Sequence, residues 1–263
     1  MQQGMQLRAS HRDEDPMGGV SQFAAEVVAR LVLRDVTEEA GLREAVLQRF
    51  LAAISSSDPA AFEALKPELK RARISAGALA DCYIPEAARR LGEAWETDSL
   101  SFAAVTMGVA RLQAILREIG SAWSADAMGQ ATGPTLLLIL PQGEQHTLGA
   151  LVLAGRLRRM GVSVSMRIAP SVSDLAGYVA ERTFDGALIS IACNDRLETC
   201  RILVKTLKEA SNGGMTVAVG GAIRDSVESV KQATGADLVT NDIMEALAHM
   251  GLLVGGSPLL ELS

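Results

Sequence analysis

Glu144-Gln145-His146-Thr147-Leu148-Gly149, Ser190-Ile191-Ala192 and Gly220-Gly221 are the segments of this chain whose residue types could do chemistry together. A neutral imidazole such as that of His146 is a good ligand for a borderline transition metal. Its second nitrogen then needs a partner that fixes tautomer and orientation, and Glu144 is the candidate. Glycine at 149, 220 and 221 lets backbone approach a ligand without an intervening side chain. Taken singly, each has an ordinary explanation. A His after a strand is commonly a polar loop residue, Ser190 a strand hydroxyl satisfied by backbone, and Gly220-Gly221 a plain turn.

These segments must be positioned by an α/β half. Residues 136–140, 162–168, 187–192, 215–219 and 237–239 are short β-rich runs, separated by stretches long enough for one helix each. Hydrophobic strands alternating with helices imply a parallel sheet covered on both faces, in which ligands sit beyond the carboxyl ends of the strands near the point where strand order reverses. All three segments fall there. Upstream the periodicity is helical. Val27, Val28, Leu31 and Val32 share one face, as do Val46, Phe50 and Ile54; Asp58-Pro59 is a helix-start signal. Ile84, Ala88, Leu91 and Trp95 form another stripe, interrupted at Asp98-Ser99, and Phe102, Val105, Val109, Leu112 and Ile115 form the next. The expected organisation is a flexible arm over 1–20, a bundle of four or five helices over 21–122, a linker over 123–134 and a doubly wound, five-stranded Rossmann-like (flavodoxin-like) domain over 135–263.

Composition narrows the function classes. With 263 residues the chain can bury two cores, and a 48% hydrophobic fraction with only 3% aromatics favours helices and buried parallel strands over a sandwich. A net charge of −6 argues against gripping nucleic acid through bulk electrostatics. Cys82, Cys193 and Cys200 match no zinc-ligand spacing and read as reduced thiols. The first residues lack the apolar core of a signal peptide, and the longest strongly apolar run, 136–140, is too short to cross a bilayer, so a cytoplasmic protein with no membrane partner is expected.

The three segments, in order and with separations of 149 to 190 and 190 to 220, resemble the cobalamin-binding domain of methionine synthase, corrinoid methyltransferase proteins and adenosylcobalamin-dependent mutases. That pattern is Asp-x-His-x-x-Gly, then Ser-x-Leu or Ser-x-Thr, then Gly-Gly; here Glu144 replaces the Asp and Ala192 the Leu or Thr. The resemblance implies that the cofactor's benzimidazole leaves cobalt and enters a slot between the first and third strands, while His146 becomes the lower axial ligand. It also implies that Ser190 supports the relay or lines that slot, beside Gly149, Gly220 and Gly221.

The helical half carries a second resemblance. The run from Leu91 to Phe102 looks like a cap bundle covering the cofactor's upper face, which makes Trp95 a cofactor-binding candidate. In light-sensing adenosylcobalamin repressors of the MerR type, Glu-His stands where this chain has Val105-Thr106, so a hydroxo or aquo cobalamin is expected rather than adenosyl or methyl. Asp98, Leu100 to Ala103, Val105-Thr106, Gly108 and Ala110 to Gln113 are similar to the PpaA/AerR family of photosynthetic bacteria. That family comprises cobalamin-dependent light or redox regulators that antagonise a CrtJ/PpsR-type repressor of photosystem genes. The resemblance implies a non-enzymatic antirepressor that reaches DNA, if at all, through that partner; no recognition-helix module is legible in the sequence. A corrinoid carrier of a methyltransferase system is the alternative.

Overall fold

The computed structural model describes residues 42–58, 60–126, 133–222 and 225–252. The expected arm over 1–20, the stripe at 27–32 and Pro59 lie outside the described residues.

Four helices form the first half among the described residues: α1 (Glu44–Ser55), α2 (Ala61–Arg71), α3 (Ile84–Glu96) and α4 (Phe102–Asp126). Asp58 does mark a helix start, its Oδ1 accepting from Ala60 N at 2.8 Å just ahead of α2. A short turn at Ala76–Ala78, capped by the Ser75 side chain, and a π-helical turn at Leu79–Tyr83 lead into α3. α3 stops at Glu96 because Asp98 turns left-handed, with φ +53°. The stripes behave as their spacing requires. Val46, Phe50, Ile54, Ile84, Ala88, Leu91, Val105, Leu112 and Ile115 are buried. Trp95 and Val109 are partly buried against the same core, and Phe102, the first residue of α4, is 41% exposed. Gly108 lets α3 and α4 touch: a Cβ there would meet Leu91 Cδ1 at 2.7 Å. α4 runs on to Asp126, into the stretch expected to be linker.

The second half is a five-stranded parallel sheet in the order β2-β1-β3-β4-β5, with β1 Thr135–Leu140, β2 Ser163–Ile168, β3 Gly186–Ser190, β4 Val217–Gly220 and β5 Leu238–Val239. This is the flavodoxin-like order, whose direction of winding reverses between β1 and β3. The connecting helices are α5 (Thr147–Arg159), α6 (Val172–Ala180), α7 (Leu197–Ala210), α8 (Val227–Thr234) and α9 (Ile243–His249). Alternate residues of the central strands serve different cores. Leu137, Ile139, Ile189, Val217 and Val219 pack with α6, α7 and α8, whereas Leu136, Leu138, Leu140, Leu188 and Ala218 pack with α5 and α9.

α5 belongs to both halves. Ala150, Ala154 and Leu157 face the sheet, while Leu148 and Val152 are built into the helical core with Phe50, Tyr83, Leu91 and Leu112. Gln113 Nε2 of α4 donates to Thr147 Oγ1 at 3.0 Å, and Arg159 at the far end of α5 pairs with Asp81 of the π turn. No helix among the described residues is long and apolar enough to cross a membrane.

Candidate functional site

The loop between β1 and α5 is shaped by a turn in which Glu144 N donates to Pro141 O at 3.1 Å, and Gly143 sits at φ +80°. That positive φ is what favours glycine there; a Cβ on Gly143 would also come within 2.8 Å of the Arg196 guanidinium, a flexible side-chain end that could shift. The turn brings the Glu144 carboxylate inward, where its side chain is only 2% exposed.

That carboxylate is the hub of the site. Oε1 accepts from the His146 ring nitrogen Nδ1 and, at 2.8 Å, from His146 backbone N. Oε2 accepts from Ala192 N at 2.8 Å, which ties the β1–α5 loop to the end of β3 across the switch point. Burial pushes the Glu144 carboxyl up, but these three N–H donors outweigh burial and hold it below the usual carboxylate value. An ionised carboxylate can only accept, so Nδ1 carries a proton, and in the neutral imidazole the lone pair is then on Nε2. Nε2 is itself buried, and His146 lines the cleft described next.

The cleft lies on one face of the sheet. Leu138, Leu188 and Ala218 form its floor, α5 contributes Gly149, Val152, Leu153 and Arg156 as one wall, and α9 contributes Ile243 and Ala246 as the other. His146, Ser190, Ala192, Gly220, Gly221 and Asn241 surround the mouth. The space between atoms is about 1090 Å³, counted out to the open mouth. Its lining is mostly aliphatic, suited to a flat apolar ring, with a few polar groups at the rim.

Seven of the eight expected site residues therefore meet: Glu144 behind the imidazole, and His146, Gly149, Ser190, Ala192, Gly220 and Gly221 around the cleft. Several expectations need correction in detail. The cleft lies over β1, β3 and β4 between α5 and α9, rather than between the first and third strands, because paired strands leave no gap. Gly220 and Gly221 are fixed by the protein's own backbone: a Cβ on Gly220 would lie 2.4 Å from Thr240 O, and one on Gly221, at φ +114°, 2.2 Å from Ile191 O. Ser190 lines the cleft, the second of the two roles the resemblance implies for it. Ala192 acts through its N–H, which any residue there could supply except proline.

Trp95 does not join the cleft. It is half-buried and packs on the helical core. Cys200 is buried and its thiol is pushed up to about 12 by that burial, so it is inert. Sequence reading missed Arg156 and Asn241; Asn241 Oδ1 accepts from Gly221 N at 2.6 Å and holds the Gly-Gly turn. Periodicity places Arg156 on a helix face, but only packing shows that the face borders the cleft.

The donor set suits a metal that arrives with its own ligands. No group of three or more His, Cys, Asp or Glu that could hold a bare ion occurs among the described residues, whereas one oriented imidazole beside an apolar cleft fits a macrocyclic metal complex.

No protein-family model matches the chain. It is 47% identical over 186 residues to the "Uncharacterized 20.5 kDa protein in bchF-crtJ intergenic region" of Rhodobacter capsulatus, covering 71% of this chain and 97% of that protein. Among solved structures, the Methanosarcina barkeri monomethylamine corrinoid protein is 12% identical and superposes with a TM-score of 0.60 over 80% of this chain and 99% of that one, which shows a shared fold. A cobalamin-binding protein from Desulfitobacterium hafniense, 18% identical, covers 80% of this chain and 98% of its own at a TM-score of 0.43, too loose to add to that.

Proposed function

The chain belongs to the family of the Rhodobacter capsulatus bchF-crtJ intergenic protein, the relationship its PpaA/AerR-type motifs imply, and we propose that it is a cobalamin-binding regulator with His146 as lower axial ligand to cobalt. The observation that carries this reading is the Glu144–His146 pair, held at the β1/β3 switch point over an aliphatic cleft. Glu144 keeps the ring proton on Nδ1 and so presents the Nε2 lone pair. The cleft between α5 and α9 would hold the nucleotide tail, and its floor of Leu138, Leu188 and Ala218 would keep water from an apolar base there. When bound, cobalamin supplies a cobalt whose upper ligand can change with light or oxidation. The absence of Glu-His at Val105-Thr106 favours the hydroxo or aquo form over adenosyl or methyl.

His146 heads α5, and α5 is shared with the helical bundle. A shift of the imidazole is felt by α4 through the Gln113–Thr147 hydrogen bond and by the bundle core through Leu148 and Val152. A coupling of about 1–3 kcal/mol between cofactor state and bundle packing is enough to alter affinity for a partner. That partner is a CrtJ/PpsR-type repressor of photosystem genes, met in the cytoplasm, and the protein acts as its light- or redox-responsive antirepressor rather than as an enzyme. The test is capture of the repressor by apo, dark holo and illuminated holo protein. Binding that depends on cofactor and illumination is expected, and equal binding by all three forms overturns the switch.

A corrinoid carrier is the second reading, favoured by the fold shared with the monomethylamine corrinoid protein across both halves. Reduction to cob(I)alamin followed by methyl uptake from a methyl-donor system supports the carrier; failure of methyl uptake in reduced, cofactor-loaded protein favours the regulator.

A further inference from the structure

We infer that Arg156 recognises the phosphodiester of the corrinoid's nucleotide tail and so selects corrinoids that carry one, an inference that rests on the corrinoid reading above. Gly149, Val152, Leu153 and Arg156 follow one another at helical spacing along the face of α5 that lines the cleft. From His146 to Arg156 is about 15 Å along the helix axis. Among the residues that line the cleft, mostly aliphatic, Arg156 is the one that carries a guanidinium or ammonium group.

The charges around Arg156 leave it in search of an anion. α5 ends in three arginines, and two are committed: Arg159 to Asp81, and Arg158 to Val164 O at 3.2 Å. The remaining acid on the cleft, Asp242, is occupied as the cap of α9, its Oδ1 accepting from Met244 N at 2.8 Å and Glu245 N at 3.4 Å. The Arg156 guanidinium makes no hydrogen bond or ion pair among the described residues. A half-buried guanidinium on an aliphatic wall is costly unless an anion meets it. The tail of a cobalamin carries one formal charge, the phosphodiester, and a planar guanidinium fork matches two of its oxygens.

Three probes separate the contributions: hydroxocobalamin, cobinamide phosphate, which keeps a phosphate but lacks the base, and cobinamide, which lacks both. Each is titrated by absorbance into wild type, Arg156→Gln and Arg156→Lys, with far-UV circular dichroism confirming the fold of each variant. Wild type is expected to bind cobinamide phosphate at least about tenfold tighter than cobinamide. Arg156→Gln should bring that ratio close to one by weakening cobinamide phosphate and hydroxocobalamin while leaving cobinamide unchanged, and Arg156→Lys should restore part of it. An unchanged ratio in Arg156→Gln, or an equal loss for cobinamide, overturns the phosphate role while leaving the corrinoid reading intact. If wild type takes up none of the three, the corrinoid reading fails and the phosphate role falls with it.

Discussion

Glu144 and His146 are two positions apart, so their pairing is a local event that a sequence can display, and the contribution of the second segment is not. Ala192 contributes an N–H to Glu144 Oε2 from the end of β3, and no side-chain pattern records a backbone donor. Glu144, standing where the resembled pattern has Asp, reaches both the His146 ring and Ala192 N. Two outcomes follow at this scale. Glu144→Gln replaces an obligate acceptor by an amide that can present either an acceptor or a donor to Nδ1, and corrinoid affinity should drop about 10- to 100-fold by spectral titration. Ala192→Leu keeps the N–H and should bind within a few-fold of wild type; a loss as large as that of Glu144→Gln would show that the side chain, not the backbone, matters. Arg156 was invisible for a different reason. A basic residue near a helix C-terminus is commonplace, and its meaning depends on which face borders the cleft.

Among the elements, the strands were legible within a residue or two because a parallel sheet buried on both faces leaves continuous apolar runs such as 136–140. The Gly-Gly turn was legible as a signal but not as a cause, since the backbones that crowd it, Ile191 and Thr240, are remote in sequence. Gly221→Ala should therefore destabilise the apoprotein, by about 1–3 kcal/mol in urea unfolding, before any ligand is considered. An apoprotein as stable as wild type would contradict that origin. The β4–β5 edge depends on Asp237, which accepts from Val217 N at 2.8 Å and from Lys208 Nζ at 2.7 Å. Burial raises its carboxyl, yet Lys208 and the Val217 N–H lower it by more, so its folded value lies below the ordinary one. A depressed carboxyl gives stability that is complete above the unfolded value, near pH 4, and is lost as pH falls through the folded value. Asp237→Asn should remove that part of the acid dependence, seen as a shallower loss of urea midpoint between neutral pH and about pH 3.

At the scale of the molecule, the helical half and the sheet share α5, and this is what the sequence conceals most completely. Hydrophobic spacing on α5 shows an apolar helix, but Leu148 and Val152 entering the bundle core while Ala150 and Ala154 meet the sheet is a consequence of docking. A shared helix makes the two halves unfold as one. Both tryptophans, Trp95 and Trp123, lie on bundle helices, so tryptophan fluorescence reports one half and far-UV circular dichroism both. Their urea transitions should coincide, and a separate early loss of fluorescence would mean that the bundle is only loosely attached. The same sharing lets an event at His146 reach the bundle, so the whole account turns on that imidazole meeting cobalt. Electron paramagnetic resonance of the cob(II)alamin-loaded protein reads the axial nitrogen directly, because its nuclear spin splits the cobalt lines. Labelling the protein's histidines with nitrogen-15 should convert the triplet splitting to a doublet, and His146→Ala should abolish the change. A triplet that survives labelling would assign the lower ligand to the cofactor's own benzimidazole and contradict the account.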